Sequence, residues 1–323
     1  MQYQEIERHY WRTHGYDEAD LVRAFEESKP EDLLALITVE PDKQLHAEWK
    51  SGEMHGNLVQ TIKFLEQAFD LLLDKPAKFL VCYHDAFYAS RCSDILKTVP
   101  VLAYAKLFED CGTILIPDPL FELNQGYHNM RMNLPDGAMP KWEDREPVLF
   151  WRGSMTGFVD STTGRNDRKD AVKKCKGHAN TDVYLTNLGN MRDKYHIEAV
   201  MGADVLRTPV MQDEFFKYRY QLDLPGNAAT WSFFWKLLCG SCVVHVPGNT
   251  RAWFHEYLRP WKHYIPATVE ELPDLAGWML THDEECHEIA RAAQNELALL
   301  GYQSTIRLYK SLFTDILATR INA

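Results

Sequence analysis

The sequence predicts an α/β protein assembled from two successive strand–helix series. Short apolar runs rich in β-branched residues recur at Phe79–Tyr83, Thr113–Ile116, Val148–Trp151, Asp182–Thr186 and Val243–Val246, each the length of a buried strand. Stretches of helical periodicity separate them, and that alternation implies parallel sheets. A Gly/Pro/Asn-rich passage from Asn124 to Arg145, with Pro135-Asp136-Gly137 and Pro140 as turn signals, divides the chain into residues 1–140 and 141–323. The third observation is the order of signals between Phe215 and Pro266. A Tyr/Leu run at Tyr218–Leu224 meets a turn at Pro225-Gly226-Asn227, then an apolar segment of roughly fourteen residues ending at Gly240, then Val243–Val246, which reads as strand, loop, helix, strand.

Taken in order, residues 1–76 read as mainly helical, with Leu58–Leu73 amphipathic and stopped by Asp74-Lys75-Pro76. Phe79–Tyr83 is the first strand, Val101–Leu107 a short buried element, and Thr113–Ile116 a strand halted by Pro117-Asp118-Pro119. Val148–Trp151 opens the second series, and a helix-like segment from Glu284 to Leu317 closes it. A helix opening on Gly226-Asn227-Ala228-Ala229-Thr230 exposes unpaired N–H groups and the positive end of its dipole, where a diphosphate binds favourably. A packed strand–helix–strand unit without a ligand is the alternative.

Composition narrows the function classes. A chain of 323 residues, 46% hydrophobic and 12% aromatic, can bury substantial cores. No apolar run approaches the about 18 residues of a membrane span, and Met1–Asp20 is polar where a signal peptide needs an apolar core; a cytoplasmic location is expected. Seven scattered cysteines do not suggest a disulfide scaffold, and Cys239 and Cys242, without a second pair, read as small buried thiols. A net charge of −11 argues against a nucleic-acid partner, whose phosphates demand clustered Lys and Arg. Asp17-Glu18-Ala19-Asp20 spells a helicase word, but no GxxxxGK[ST] loop accompanies it, so it reads as a helix-start acidic cluster. Lys169, Lys173, Lys174 and Lys176 recur with helical spacing as a solvated face, the alternative being phosphate or lipid head-group contact. Membrane contact is therefore expected to be peripheral at most. The chain has no DxD, and His245, His255 and His263 read as packed or ring-stacked. No metal and no other cofactor is expected.

Several words are more specific than these patterns: Leu238-Cys239-Gly240-Ser241, His245-Val246, and the run Leu258-Arg259-Pro260-Trp261-Lys262-His263-Tyr264-Ile265-Pro266. Upstream, in order, stand Phe79–Asp85 and Trp151-Arg152-Gly153-Ser154-Met155-Thr156. Together, over roughly residues 79 to 290, they resemble glycosyltransferase family 90, which holds Rumi-type protein O-glucosyltransferases, capsule-associated xylosyltransferases and bacterial lipopolysaccharide-core transferases. The resemblance implies a GT-B-like fold, two Rossmann-like domains facing across a cleft. The first would be the acceptor side with the base, the second would bind the UDP-sugar, and the C-terminal helix would cross back to the first. It implies an inverting, metal-independent transfer of glucose or xylose from a UDP-sugar to a hydroxyl of a glycan or lipopolysaccharide-core acceptor. A catalytically inactive UDP-sugar or glycan-binding protein on the same fold is the alternative.

Such a transfer needs a base for the attacking hydroxyl and charge stabilisation for the departing diphosphate. Asp85 follows an apolar strand, so it belongs at the end where α/β sheets place ligand loops. It matches the family's base; the alternative is a cap on the turn Ala86-Phe87-Tyr88. Arg152, Gly153, Ser154 and Thr156 form a loop that offers a guanidinium, hydroxyls and amides to phosphate oxygens. Arg168 and Arg165 both match the family arginine that touches the diphosphate, surface ion pairs being the alternative. Gly226, Asn227, Ala228, Ala229, Thr230 and Ser232 complete the donor set. Rumi-type proteins carry an arginine where this chain has Ser232, so either helix-terminal amides with Arg168 suffice, or Lys217 and Arg219 supply the charge. Of Trp231, Trp235, Trp253 and Trp261, most are expected in the core, with one available to stack on a uracil or sugar face. Ile321-Asn322-Ala323 carries no endoplasmic-reticulum retention signal, which suits a bacterial-type cytosolic enzyme.

Overall fold

The computed structural model describes residues 2–42, 44–69, 76–88, 93–133, 139–159, 162–188 and 205–321. The turn expected at Pro135-Asp136-Gly137, the last residues of the helix expected over Leu58–Leu73, and Asp74-Lys75 of its stop lie outside them. The chain divides into two compact units: Met1–His128 with Asn249–Glu256 and Leu300–Ala323, and Asn129–Gly248 with Tyr257–Leu299. Each is an α/β body, the class the sequence predicted.

The first unit is built on strands Leu34–Val39 (β1), Leu45–Trp49 (β2), Ala77–Cys82 (β3), Val101–Ala103 (β4) and Ile114–Leu115 (β5). Their order is β2-β1-β3-β4-β5. β1 pairs antiparallel with β2 and β3, while β3, β4 and β5 are parallel. The β1–β2 hairpin corrects the mainly helical reading of residues 1–76. Leu34–Val39 is almost wholly buried, and periodicity alone cannot tell a short continuous apolar run from a buried helical segment. Its turn is closed by Glu40 N–H donating to the Gln44 carbonyl at 2.9 Å. The helix Gly56–Ala68 buries Leu58, Phe64 and Leu65, and Phe64 meets Tyr309 edge-on at 5.3 Å. The element expected over Val101–Leu107 is split at Tyr104: residues Ala105–Leu107 leave the sheet and pair antiparallel with Thr250–Ala252.

The second unit carries Glu146–Ser154 (β6), Thr181–Asn187 (β7), Tyr218–Asp223 (β8), Cys242–His245 (β9) and Ile265–Pro266 (β10). All pairings are parallel, in the order β10-β9-β8-β6-β7. This is a doubly wound sheet whose strand order reverses between β6 and β8, and ligands of such sheets bind outside the carboxyl ends of the strands at that reversal. Leu149, Leu185, Leu222, Val244 and Ile265 are fully buried in its core, the composition a two-sided parallel sheet requires. Arg145, itself buried, donates to Ser241 Oγ and to the Cys239 carbonyl, both at 2.9 Å. Cys239 and Cys242 are buried free thiols. The segment expected as one helix from Glu284 to Leu317 is two, Asp283–Ala298 and Tyr302–Leu317, parted at Leu300-Gly301. Among the described residues no helix is long and apolar enough to cross a membrane.

Candidate active site

In the second unit the loops that follow β6 and β8 flank the reversal point, and they are the loops the sequence singled out. They touch through backbone. Gly157 has φ +104, and a Cβ there would stand 3.0 Å from the Gly226 carbonyl oxygen; both the conformation and the space call for glycine. A Cβ on Gly226 would meet the Arg168 guanidinium at 2.7 Å. Gly157 N–H also donates to Asn227 Oδ1 at 3.1 Å.

Arg168 ties the two loops together. Its Nε donates to the Pro225 carbonyl at 2.9 Å, one terminal nitrogen to the Ser154 carbonyl and Thr156 Oγ1 at 2.9 and 2.7 Å, and the other to the Leu224 carbonyl at 3.2 Å. Burial lowers its pKa to about 10, against the opposing pull of Asp223, so it stays charged. The planar fork of donors suits this arrangement. Arg165 is 55% exposed beside Asp167 and Glu270, an ordinary surface pairing. Of the two arginines, Arg168 is the one at the loops.

Arg152 does not extend its charge toward them. Its guanidinium grips both carboxylate oxygens of Asp182 at 2.7 and 2.8 Å, at the level of Phe150, the partner of Asp182 in the ladder. It lies over the Phe150 ring at 4.6 Å. The structure gives this residue an ion pair with Asp182 in place of a position facing the loops, and Gly153, Ser154 and Thr156 present the loop's backbone and hydroxyls.

The helix expected to open on Gly226 begins instead at Ser232 and ends at Leu238. Residues 226–230 are a loop, because its polar groups are fastened before a helix can start: Thr230 Oγ1 lies 2.6 and 2.7 Å from the two oxygens of the Asp223 carboxylate, and Gly226 N–H donates to the Ala228 carbonyl at 3.2 Å. Ala228 is buried, Ala229 half-buried and Asn227 exposed. Lys217 and Arg219 do not supply charge here. At about 3.3 Å per strand residue, four positions set Arg219 about 13 Å from Asp223, and Arg219 binds Asp283 at 3.1 Å while Lys217 binds Glu214 at 2.6 Å.

A second cation at this end of the sheet, beside Arg168, is one that sequence reading passed over. Lys236, fully buried, donates to the Leu222 carbonyl at 2.9 Å and to Asp223 at 3.2 Å. Asp223, with no exposed surface, also meets His245 Nδ1 at 3.0 Å. Burial pushes its carboxyl up, but Lys236, His245 and Thr230 together hold it well below the ordinary carboxylate range. Burial also draws the Lys236 ammonium below its usual value, with Asp223 opposing. A lysine inside Ser232-Phe233-Phe234-Trp235-Lys236-Leu237-Leu238 was a usable signal, since a charge on an otherwise apolar short helix demands a partner. His245 stacks on Phe233 at 4.3 Å, and His263 Nδ1 accepts from Arg259 N–H at 3.1 Å. Trp235 and Trp253 are buried, Trp231 is half-buried, and Trp261 is 53% exposed.

In the first unit, Asp85 is half-buried in the turn after β3, at the carboxyl end of the parallel strands. The hydroxyl of Tyr104, the residue after β4, shares a 2.5 Å hydrogen bond with Thr61 Oγ1. Burial raises its phenol far above normal, and the carboxylates of Asp118 and Asp85 push the same way while Thr61 opposes. Asp118, beyond β5, accepts from the N–H groups of Leu120 and Phe121 at 3.0 and 3.2 Å; burial brings its carboxyl to about 7 against those bonds. Glu122 is raised by burial and accepts from the Tyr302 hydroxyl at 2.8 Å. Among the described residues no group of three or more His, Cys, Asp or Glu side chains is arranged to hold a metal ion.

An O-glucosyltransferase rumi homolog of Anopheles gambiae is 27% identical over 215 residues, covering 64% of this chain and 50% of that protein. Protein O-glucosyltransferase 2 of Danio rerio is 31% identical over 187 residues, covering 56% of this chain and 35% of that one. This chain thus spans half or less of the length of these relatives. Among solved structures, Anabaena Alr3699/HepE in complex with UDP and glucose aligns at 13% identity with a TM-score of 0.37, over 59% of this chain and 52% of that one. Residues 91–300, more than half of the sequence, match the description Glycosyl transferase family 90, and the chain belongs to that family.

Proposed function

We propose that this chain transfers a sugar from a UDP-sugar to an acceptor hydroxyl, with inversion and without a metal. The observation that carries the reading is the strand reversal between β6 and β8, flanked by the loops Ser154–Gly157 and Pro225–Thr230 and tied by Arg168. Backbone amides, hydroxyls and a fixed guanidinium at such a point suit an anionic diphosphate. Glucose is the preferred sugar, because the relatives carry the name O-glucosyltransferase; xylose is the second choice. The acceptor is a hydroxyl of a glycan, of a lipopolysaccharide core, or of a protein as those names suggest. In the attack, the acceptor oxygen bonds the anomeric carbon, its proton passes to Asp85, and the bond to the β-phosphate oxygen breaks with its electron pair leaving on UDP.

UDP alone is expected to hold most of the donor's affinity, since charge-assisted contacts to the diphosphate outweigh neutral sugar contacts. Calorimetry with UDP tests this, and a protein that binds no UDP refutes the donor site. A melting curve gives the same answer: UDP at about 100 times its Kd adds roughly 2.7 kcal/mol. EDTA is expected to leave transfer intact, as a chain without DxD holds the diphosphate by donors alone; loss of activity restored by Mn²⁺ or Mg²⁺ would contradict it. The absence of charge at Ser232 and the pairing of Arg152 with Asp182 favour one other reading, a UDP-sugar-binding protein without turnover. UDP affinity with neither transfer nor donor hydrolysis would select it.

A further inference from the structure

Phe158, the residue after Gly157 in the loop that follows β6, is 77% exposed. A lone apolar side chain in water is ordinary anywhere on a surface; what sets this one apart is its place beside the two donor loops and the way its backbone is pinned. Asn166, buried at 3% exposure, donates through Nδ2 to the carbonyls of both Thr156 and Phe158 at 3.2 Å. Its Oδ1 accepts from Lys169 N–H at 3.0 Å, which anchors it to the start of the helix Asp167–Cys175. Thr156 Oγ1 accepts from Arg168 at 2.7 Å, and Gly157 N–H donates to Asn227 Oδ1 at 3.1 Å. Successive Cα atoms are about 3.8 Å apart, so the phenyl ring is mounted directly beside the backbone that meets Gly226, on a loop whose course Asn166, Arg168 and Asn227 hold.

We propose that Phe158 is a platform for the transferred sugar, its ring covering the C–H face of the donor's pyranose while the loops tied by Arg168 hold the diphosphate. This rests on the UDP-sugar reading above and deepens it by naming the residue that distinguishes the sugar-bearing donor from UDP. The groups nearest a diphosphate held by these loops are the two sugars bonded to its ends, with the base one sugar farther out. A ribofuranose is puckered and offers little flat apolar face, whereas a pyranose chair presents C–H groups on one side. Those groups are apolar and slightly positive, and the face of an aromatic ring is negative, so the two pack while the hydroxyls around the rim of the sugar keep their hydrogen bonds. Glucose and xylose share that chair, so the platform supplies affinity for the sugar without choosing between them.

The test is calorimetry of UDP-glucose and of UDP, each with the full chain and with variants at this one position. Phe158→Ala is expected to bind UDP-glucose about tenfold more weakly than the wild-type chain, the worth of one aromatic face, and to bind UDP with unchanged affinity. Phe158→Tyr keeps the face and is expected to bind both as the wild-type chain does. The side chain is exposed, so the melting temperature should hold in each. An Ala variant with wild-type affinity for UDP-glucose overturns the assignment and leaves the donor reading standing. Equal losses for UDP and UDP-glucose also overturn it, because the ring would then serve the nucleoside. A wild-type chain that binds neither ligand overturns both readings. Should the Ala variant fail to fold, Phe158→Leu decides: it keeps apolar bulk without an aromatic face, and UDP-glucose affinity equal to that of the wild-type chain sinks the proposal.

Discussion

Asp85→Asn is expected to lower single-turnover transfer from the UDP-sugar by about 100-fold to 10,000-fold, the usual worth of a positioned base, while UDP affinity and the melting temperature hold. The substitution keeps the shape of the side chain and removes only its capacity to take a proton. Asp85 stands half-buried at the carboxyl end of the first unit's parallel strands, where α/β sheets present their functional loops. If Asp85 served only to cap the turn behind it, the same variant would cost about 1 kcal/mol or less and turn over normally. Transfer, a UDP titration and a melting curve on one preparation separate the two. Near-normal turnover would move the base to Asp118 or Glu122. Asp118 then comes first, because burial already brings its carboxyl to about 7, near a useful working pH for a base, whereas Glu122 is engaged with Tyr302.

Much of this architecture was legible because strands and loops leave local signatures. Phe79–Tyr83 and Val243–Val246 are apolar runs bounded by turns, and the Pro225-Gly226-Asn227 turn marks a loop whatever surrounds it. Arg168 was recognisable as a candidate, but its role as the tie between two loops depends on which strands are neighbours. That neighbourhood is also why Arg152 was misread: its partner, Asp182, reaches it only because β7 lies beside β6, a pairing no local pattern encodes. The β1–β2 hairpin was missed for a different reason. Leu34–Val39 is apolar throughout rather than alternating, and a short buried run carries no period to distinguish strand from helix. The late start of the helix at Ser232 is a competition within one segment, won by the bond from Thr230 to Asp223, as short hydroxyl side chains often do at helix entries.

Lys236→Met is expected to destabilise the chain by about 3 to 5 kcal/mol, the cost of leaving one member of a buried ion pair without the other. Methionine fills much the same volume, so the loss reports charge more than packing. Asp223 would keep His245 and Thr230 but lose the ammonium that most strongly opposes its burial. Replacing both partners, as in Lys236→Met with Asp223→Asn, should recover part of the loss, because no full charge is then stranded; a double variant as unstable as the sum of the singles would show that the two side chains do not act as a pair. The pH dependence gives a second check with a definite sign. Asp223 has a depressed pKa in the folded chain, so its contribution is present above the unfolded value of about 3.9 and disappears only as pH falls through the folded one. In Lys236→Met the folded value rises, and a carboxyl raised past its unfolded value then costs stability as pH climbs through that interval. Chemical denaturation of both proteins between about pH 3 and pH 7 should therefore show the deficit of the variant widening toward neutral pH. A deficit that stays constant across that range would mean that Lys236 stabilises the fold through its bond to the Leu222 carbonyl and not through the Asp223 charge.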